Sequence, residues 1–173
     1  LEKEEAVYSQ ELIQFMLENI GNTDSYIRDS LIFKTFSFLI LKNQLSIKLR
    51  KEVLETCISS DYLFFHITEK DEDAVFKRSF SALIIALLLQ KDSERRVLDK
   101  DLILKSISEC LTYLMLENDY RGYVEGKGWA HAVAHGSDLL AICIQHPLFE
   151  LSNEPLIILE HFTDVSKTIK MPK

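Results

Sequence analysis

The residue types that can carry chemistry concentrate in residues 119–138, which read DYRGYVEGKGWAHAVAHGSD. This segment holds four of the five glycines of the chain, three of them within residues 122–128, and its only tryptophan, Trp129. His131 and His135 lie four residues apart, and Asp138 follows three residues later. Imidazole nitrogens and carboxylate oxygens bind metal ions and transfer protons. The segment is therefore the candidate functional site.

Helical geometry predicts that the two histidines and the aspartate share one face. At about 100° per residue, positions 131, 135 and 138 fall within about 60° of one another. The opposite face, which we expect to anchor the helix to the core, carries Trp129, Val133, Leu140 and Ile144. Glycines before the helix let the loop fold back over the helix start. We predict one concave polar patch formed by the candidate binding residues Arg121, Glu125, Trp129, His131, His135 and Asp138.

Four interpretations of the histidine pair remain open. The imidazoles can be simple surface groups, or they can be hydrogen-bonded structural groups between helices. They can bind a divalent metal ion with Asp138 as a third ligand, although the HExxH pattern is absent because position 132 is alanine. They can also serve in acid–base catalysis beside a carboxylate. No cofactor follows from the sequence beyond this divalent metal.

Other polar and sulfur-containing residues have structural interpretations. Arg78 directly precedes an apolar run, so we expect it to form an ion pair within the fold. Asp24 is predicted to cap a helix, with Arg28 and Asp29 as solvated charges. The cysteines lie far apart on apolar stripes, so they are predicted to be free thiols used in packing: Cys57, Cys110 and Cys143.

These residues must be positioned by helices, because hydrophobic residues recur with helical periodicity along the whole chain. We predict seven helices, over about 2–20, 24–42, 46–57, 73–90, 99–117, 128–146 and 154–169. Gly21 is predicted as the residue after the first helix, and Pro147 ends the sixth. The fourth helix contains ALIIALLL at 82–89, which has no polar member, so we expect it to lie at the centre of the protein. Its residues Leu83, Ile84, Leu87 and Leu88 are expected to be almost fully buried.

Consecutive helices pair as hairpins that begin near residues 2, 46 and 99. This spacing resembles the roughly 40–47 residues of HEAT-type repeats. We therefore predict an all-α fold without a sheet, a HEAT-like α-α superhelix, with an irregular helical bundle as the alternative. Residues 1–173 are expected to form a single domain, and a start at Leu1 without Met is compatible with a fragment of a longer protein.

Composition excludes several classes of function. Hydrophobic residues make up 47% and charged residues 27% of the chain, which is typical of a globular protein. The net charge of −7 and the lack of a basic stripe argue against nucleic acid as a partner. The longest apolar run is far shorter than the ~20 residues that span a bilayer, so no membrane partner is predicted. Three dispersed cysteines favour a reducing, cytoplasmic location.

Three segments together resemble a bacterial family called domain of unknown function 2785. They are MLENIGNTDSYIRDSLI at 16–32, RSFSALIIALLL at 78–89 and RGYVEGKGWAHAVAHGSDLL at 121–140. The resemblance covers most of the chain. It implies an all-helical, HEAT-like domain, typically within a somewhat longer protein. It implies no activity, substrate or catalytic residue.

Two functions follow for the same residues. The first is a non-enzymatic helical-repeat binding domain that recognises a peptide, a protein or a small polar ligand, because helical solenoids present concave binding surfaces. The second is a hydrolase that uses a metal ion or His/carboxylate acid–base chemistry. We predict the binding domain, with the hydrolase as the alternative.

Overall fold

The computed structural model describes residues 10–69 and 73–151. In chain order its regular elements are α1 (Gln10–Glu18), a π-helical segment (Tyr26–Phe33), α2 (Lys34–Leu41), α3 (Ile47–Cys57), α4 (Ala74–Glu94), α5 (Lys100–Leu116), β1 (Tyr123–Val124), β2 (Gly128–Trp129), α6 (Ala132–Gln145) and a short 3-10 turn (Phe149–Leu151). The predicted seventh helix, 154–169, lies outside the described residues, as does the predicted start of the first. The fold is thus mainly helical, as predicted.

Local hydrogen bonds explain where the early helices begin. The Ser46 hydroxyl accepts from the backbone N–H of Leu49 at 3.2 Å, which makes Ser46 the cap of α3. Asp24 Oδ1 accepts from the N–H of Tyr26 at 2.8 Å, as predicted for a cap. The helix that Asp24 starts is wider than predicted, because Tyr26–Phe33 is π-helical before α2 continues with ordinary winding.

Gly21 has a different role from the predicted one. A residue that ends a helix in this way commonly has a left-handed conformation, but the glycines with positive φ among the described residues are Gly126 and Gly128. A Cβ atom on Gly21 would lie 2.6 Å from Cβ of Lys77 and 2.8 Å from its Cα. Gly21 therefore lets the chain after α1 approach α4 closely.

Helix α4 is central, as predicted. It packs against α2, α3, α5 and α6, and its most extensive packing is with α6. Ile84 and Leu88 are fully buried, but Leu83 and Leu87 are only partly buried, which corrects the expectation that the whole apolar run would be covered. The helix also continues past the predicted Gln90, to Glu94.

A two-stranded antiparallel hairpin replaces the predicted loop and the predicted start of the sixth helix. Tyr123 pairs with Trp129, and Val124 pairs with Gly128. The turn needs residues with positive φ, which Gly126 (+74°) and Gly128 (+84°) supply. The prediction of a fold without any sheet was therefore wrong, and α6 begins at Ala132, not near residue 128.

The buried side of α6 also differs from the predicted one. Trp129, Val133 and Ile144 are exposed and Leu140 is partly buried, whereas the inward stripe consists of Ala132, Gly136, Leu139 and Cys143. A Cβ atom on Gly136 would lie 2.6 Å from Cδ2 of Leu114, so this glycine allows α5 and α6 to pack closely. All three cysteines are buried and free, as predicted.

The described helices share one hydrophobic core, to which residues from α1 through α6 contribute. A second, smaller cluster joins the start of α4 to the region after the hairpin and consists of Val75, Phe76, Ala130 and Ala132, with Val124 against it. Among the described residues, no helix has the length and apolar character needed to cross a membrane.

Candidate functional site

The buried side chain of Arg28 anchors the hairpin to the helices. Its side chain is 0% exposed. Nη1 donates to the carbonyl of Asn22 at 2.7 Å, and Nη2 donates to the carbonyl of Lys127, 99 residues away along the chain, at 2.8 Å. The guanidinium thus connects the start of the π-helical segment to the hairpin.

The surroundings of the Arg28 guanidinium are aromatic and acidic. Its central carbon lies 4.2 Å from the ring centre of Phe76 and 4.8 Å from that of Phe80, which are cation–π distances. Nε lies 2.9 Å from Oδ1 of Asp29. The prediction that Arg28 is a solvated charge was wrong. A signal was present, because Arg28, Ile32 and Phe36 recur at intervals of four and all three are buried.

Two further contacts fix the hairpin on the helices. Lys127 Nζ forms an ion pair with Oδ1 of Asp73 at 2.6 Å. At Gly128, a Cβ atom would lie 2.8 Å from Cβ of Ser25 and 3.1 Å from Nη2 of Arg28. The backbone of the hairpin therefore lies directly against the beginning of the π-helical segment.

The outer side of the hairpin carries a stack of three rings, which we call the aromatic platform: Tyr123, Trp129 and His131. The Trp129 and His131 rings are parallel within 5°, with centres 4.4 Å apart. Tyr123 meets Trp129 edge-on at 5.2 Å. Tyr123 is 62% exposed and Trp129 is 49% exposed. The rings are thus ordered against one another while much of their surface faces solvent.

His131 is the residue before α6 and does not belong to the helix. Its φ is +50°, and its N–H donates to the carbonyl of Arg121 at 3.2 Å. Its carbonyl accepts from the N–H of His135 at 2.9 Å, the first bond of α6. The predicted common helical face therefore does not include His131, although its ring centre still lies 5.6 Å from that of His135.

His135 points inward. Its ring meets Phe80 edge-on at 5.4 Å, and its Nδ1 is buried without a hydrogen-bond partner. The pKa of His135 is lowered to about 4, mainly by burial and also by the neighbouring His131 and Arg28, while Asp138 and the backbone of Ser79 oppose the shift. The imidazole is therefore neutral at pH 7.

The remaining predicted residues do not form ion pairs with the histidines within the described part of the chain. Arg121 donates to both carboxylate oxygens of Asp119, with Nε at 3.0 Å from Oδ1 and Nη2 at 2.5 Å from Oδ2. Burial alone would raise the pKa of Asp119, but the hydrogen bonds from Arg121 outweigh it and hold that pKa below its usual range. Glu125, in the turn of the hairpin, and Asp138, on α6, are exposed.

A buried ion pair orients the loop that leads to the hairpin. Arg78 Nε and Nη2 donate to the two carboxylate oxygens of Glu117 at 2.8 and 2.9 Å, and both side chains are almost completely buried. Glu117 Oε1 also accepts from the N–H groups of Asn118 and Asp119. The predicted internal ion pair of Arg78 is confirmed.

A metal centre would need at least three suitable ligands close together. Over 10–69 and 73–151, no three His, Cys, Asp or Glu side chains are grouped to hold a metal ion, and this includes the candidates His131, His135 and Asp138. The structure instead brings together the aromatic platform, at the surface, and the buried Arg28, which anchors the hairpin that carries Tyr123 and Trp129.

Comparison with known proteins places the chain in a family without an assigned activity. The model of a family described as protein of unknown function (DUF2785) matches residues 63–171. The match includes the hairpin, α6 and the central α4, while the segment that carries Arg28 precedes it. No curated protein and no solved structure matches the chain.

Proposed function

We propose that this chain, which belongs to the DUF2785 family, is a binding domain whose aromatic platform recognises a peptide, a protein or a small polar ligand. The observation that carries the proposal is the ordered set of rings Tyr123, Trp129 and His131, of which Tyr123 and Trp129 are exposed. Tryptophan and tyrosine dominate binding energy at interfaces because they offer a large contact area with few rotatable bonds.

Pre-organisation of the platform supports this proposal. The hairpin has only two residues per strand and would be marginal alone. Arg28, the ion pair of Lys127 with Asp73 and the small cluster around Phe76 hold it on the helices. A ligand would therefore meet rings that are already positioned, which lowers the entropic cost of binding.

The acid–base alternative has less support from the same residues. A general base works best when its pKa is near the working pH, whereas burial lowers the pKa of His135 to about 4. Its buried Nδ1 has no carboxylate to orient it within the described part of the chain. These features fit a packed imidazole better than a catalytic one.

We extend the proposal to the arrangement of the helices and to the environment of the protein. We propose a HEAT-like arrangement within a single domain over residues 1–173, supported by the packing of α3 with α4 and of α5 with α6 around one core. We propose a reducing, cytoplasmic environment, which three buried free thiols favour.

A peptide-display library tests the function, with fluorescence as the direct measurement. Trp129 is the only tryptophan, so its emission reports on the platform alone. Selected peptides should shift the emission of the wild type and lose about tenfold or more in affinity for Trp129→Leu and Tyr123→Ala, as expected when an aromatic hot spot is removed. Phe38→Ala, which removes an aromatic ring of similar exposure on α2, is the matched control and should bind normally.

Thermal unfolding of each variant shows whether the fold is kept. Peptides that bind Trp129→Leu and wild type equally would place the binding surface elsewhere. Failure to select any peptide or small-molecule fragment that changes Trp129 emission would refute the proposal.

A further inference from the structure

We infer that the ligand of the aromatic platform presents a cationic group, a guanidinium or an alkylated ammonium. The inference rests on the proposed function and specifies the chemistry that the same surface selects. It follows from two independent properties of the surface, namely its unpaired charges and its exposed aromatic rings.

The cations around the platform are already paired. Arg121 is bound to Asp119 at 2.5 Å, Lys127 to Asp73 at 2.6 Å, and Arg28 lies 2.9 Å from Asp29. Each of these pairs is close to neutral as a unit. None of them offers a free positive charge to an anionic ligand.

The carboxylates around the platform are not all paired. Glu125 lies in the turn of the hairpin, two residues from Tyr123, and Asp138 lies on α6 close enough to influence the titration of His135. Both residues are exposed, and no cation of the described chain forms an ion pair with either of them. The net charge left at this surface is therefore negative, and the whole chain carries −7.

The faces of the aromatic rings also attract cations. The quadrupole of Trp or Tyr attracts a cation within about 6 Å of the ring centre. The protein already uses this geometry beneath the platform, where the Arg28 guanidinium lies 4.2 Å from the ring centre of Phe76. A neutral ligand would gain only the stacking, and an anionic ligand would be repelled by both carboxylates.

The cation can come from an Arg or Lys side chain of a peptide or from a free organic cation. Three probes separate these sources by Trp129 emission and calorimetry: the pentapeptide Gly-Arg-Gly-Arg-Gly, the same peptide with Glu in place of Arg, and tetramethylammonium chloride against sodium chloride of equal ionic strength. We expect the Arg peptide to bind and the Glu peptide to fail. Binding of tetramethylammonium as well would identify the cation itself as sufficient, whereas binding of the peptide alone would show that peptide contacts are needed.

Substitutions then test the origin of the selectivity. Glu125→Gln and Asp138→Asn should each weaken the Arg peptide roughly 2–5-fold, as expected for exposed charge pairs, and Trp129→Leu should weaken it further. Asp101→Asn is the control, because it removes an exposed carboxylate in the first turn of α5. The hairpin follows the opposite end of this helix, roughly 25 Å along its axis. This variant should bind the Arg peptide as the wild type does.

The outcomes separate the two proposals. If library peptides that depend on Trp129 carry no Arg or Lys, or if the Glu peptide binds at least as well as the Arg peptide, the cationic ligand is wrong and the binding platform stands. If no peptide or fragment depends on Trp129, the platform itself is refuted.

Discussion

Arg28 shows how one buried charge can organise two distant parts of a chain. Taking a guanidinium out of water is costly unless its N–H groups find acceptors. Here two backbone carbonyls, one carboxylate and two aromatic faces surround it. The cost of burial is thus offset only when Asn22 and Lys127 are both in place, so the arginine makes the hairpin and the π-helical segment depend on each other.

Replacing Arg28 should therefore destabilise the protein strongly. Arg28→Met leaves Asp29 without its cation and two carbonyls without donors, and we expect a loss of about 3–5 kcal/mol in the free energy of unfolding. Urea denaturation followed by circular dichroism measures it. Lys48→Met, at an exposed lysine of α3, is the control and should stay within about 0.5 kcal/mol of wild type. A loss of that small size for Arg28→Met would contradict the role of anchor.

His135 should make the protein less stable in acid. Its pKa is about 4 in the folded protein against an ordinary value near 6.5, so between these values the unfolded state binds more protons. Stability should fall as the pH drops from 7 towards 4 and level off below that. The full contribution of this residue is up to about 3 kcal/mol.

His135→Gln isolates that contribution, since the amide does not titrate. Urea unfolding at several pH values from about 4 to about 7 should give a flatter profile for the variant. Burial also lowers the pKa of His146, which Asp92 opposes, and this residue remains in both proteins. Parallel pH profiles for variant and wild type would show that His135 titrates normally in the folded state.

At the scale of elements, the hairpin depends on two glycines, which share one reason and differ in a second. Both have positive φ, which costs a residue with a side chain about 1–2 kcal/mol. Gly126 lies in open space, with no atom within 4 Å of the position that a Cβ atom would occupy, whereas a methyl group at Gly128 would meet Ser25 at 2.8 Å. Substituting either glycine therefore has a conformational cost, but only substitution of Gly128 also has a steric cost.

The pair Gly126→Ala and Gly128→Ala separates these costs. Gly126→Ala should lower the free energy of unfolding by about 1–2 kcal/mol. Gly128→Ala should lose about 1–3 kcal/mol more, because its methyl group overlaps packed atoms, and it should also shift the emission of Trp129. Urea denaturation of both variants measures the difference. Equal losses would mean that the hairpin can move away from Ser25 at no cost.

At the scale of the whole molecule, α4 connects the core. Leu88 is 1% exposed, whereas Leu87 is only partly buried on the same helix. Leu88→Ala should cost about 2–5 kcal/mol, because it leaves a cavity between helices that cannot close completely. Leu87→Ala removes the same atoms from a partly solvated position and should cost clearly less, as measured by urea denaturation. A larger loss for Leu87→Ala would contradict the observed orientation of α4.

Much of the helical framework could be predicted because it depends on local signals. Ser46 caps α3 through its own hydroxyl group, which needs no distant partner. The apolar run at 82–89 is buried on most sides, and its composition predicts this without knowledge of the helices that surround it. The internal ion pair of Arg78 followed from the same reasoning, since a charge beside that run needs a partner. The hairpin was missed because GKGW is equally compatible with a loop and with a helix start, and only its position against Ser25 and Arg28 selects the strand.

The sequence by itself determined that the described chain is mainly helical, which helix is central and which short segment concentrates polar and aromatic chemistry. Those properties follow from hydrophobic periodicity and composition, which act over a few neighbouring residues. The tertiary structure alone decided that the Arg28 guanidinium lies against the rings of Phe76 and Phe80, that His131 stacks on Trp129 outside the helix and that His135 turns towards Phe80. Each of these depends on partners brought together by folding, such as the bond from Arg28 to Lys127 across 99 residues, and no local pattern encodes that distance.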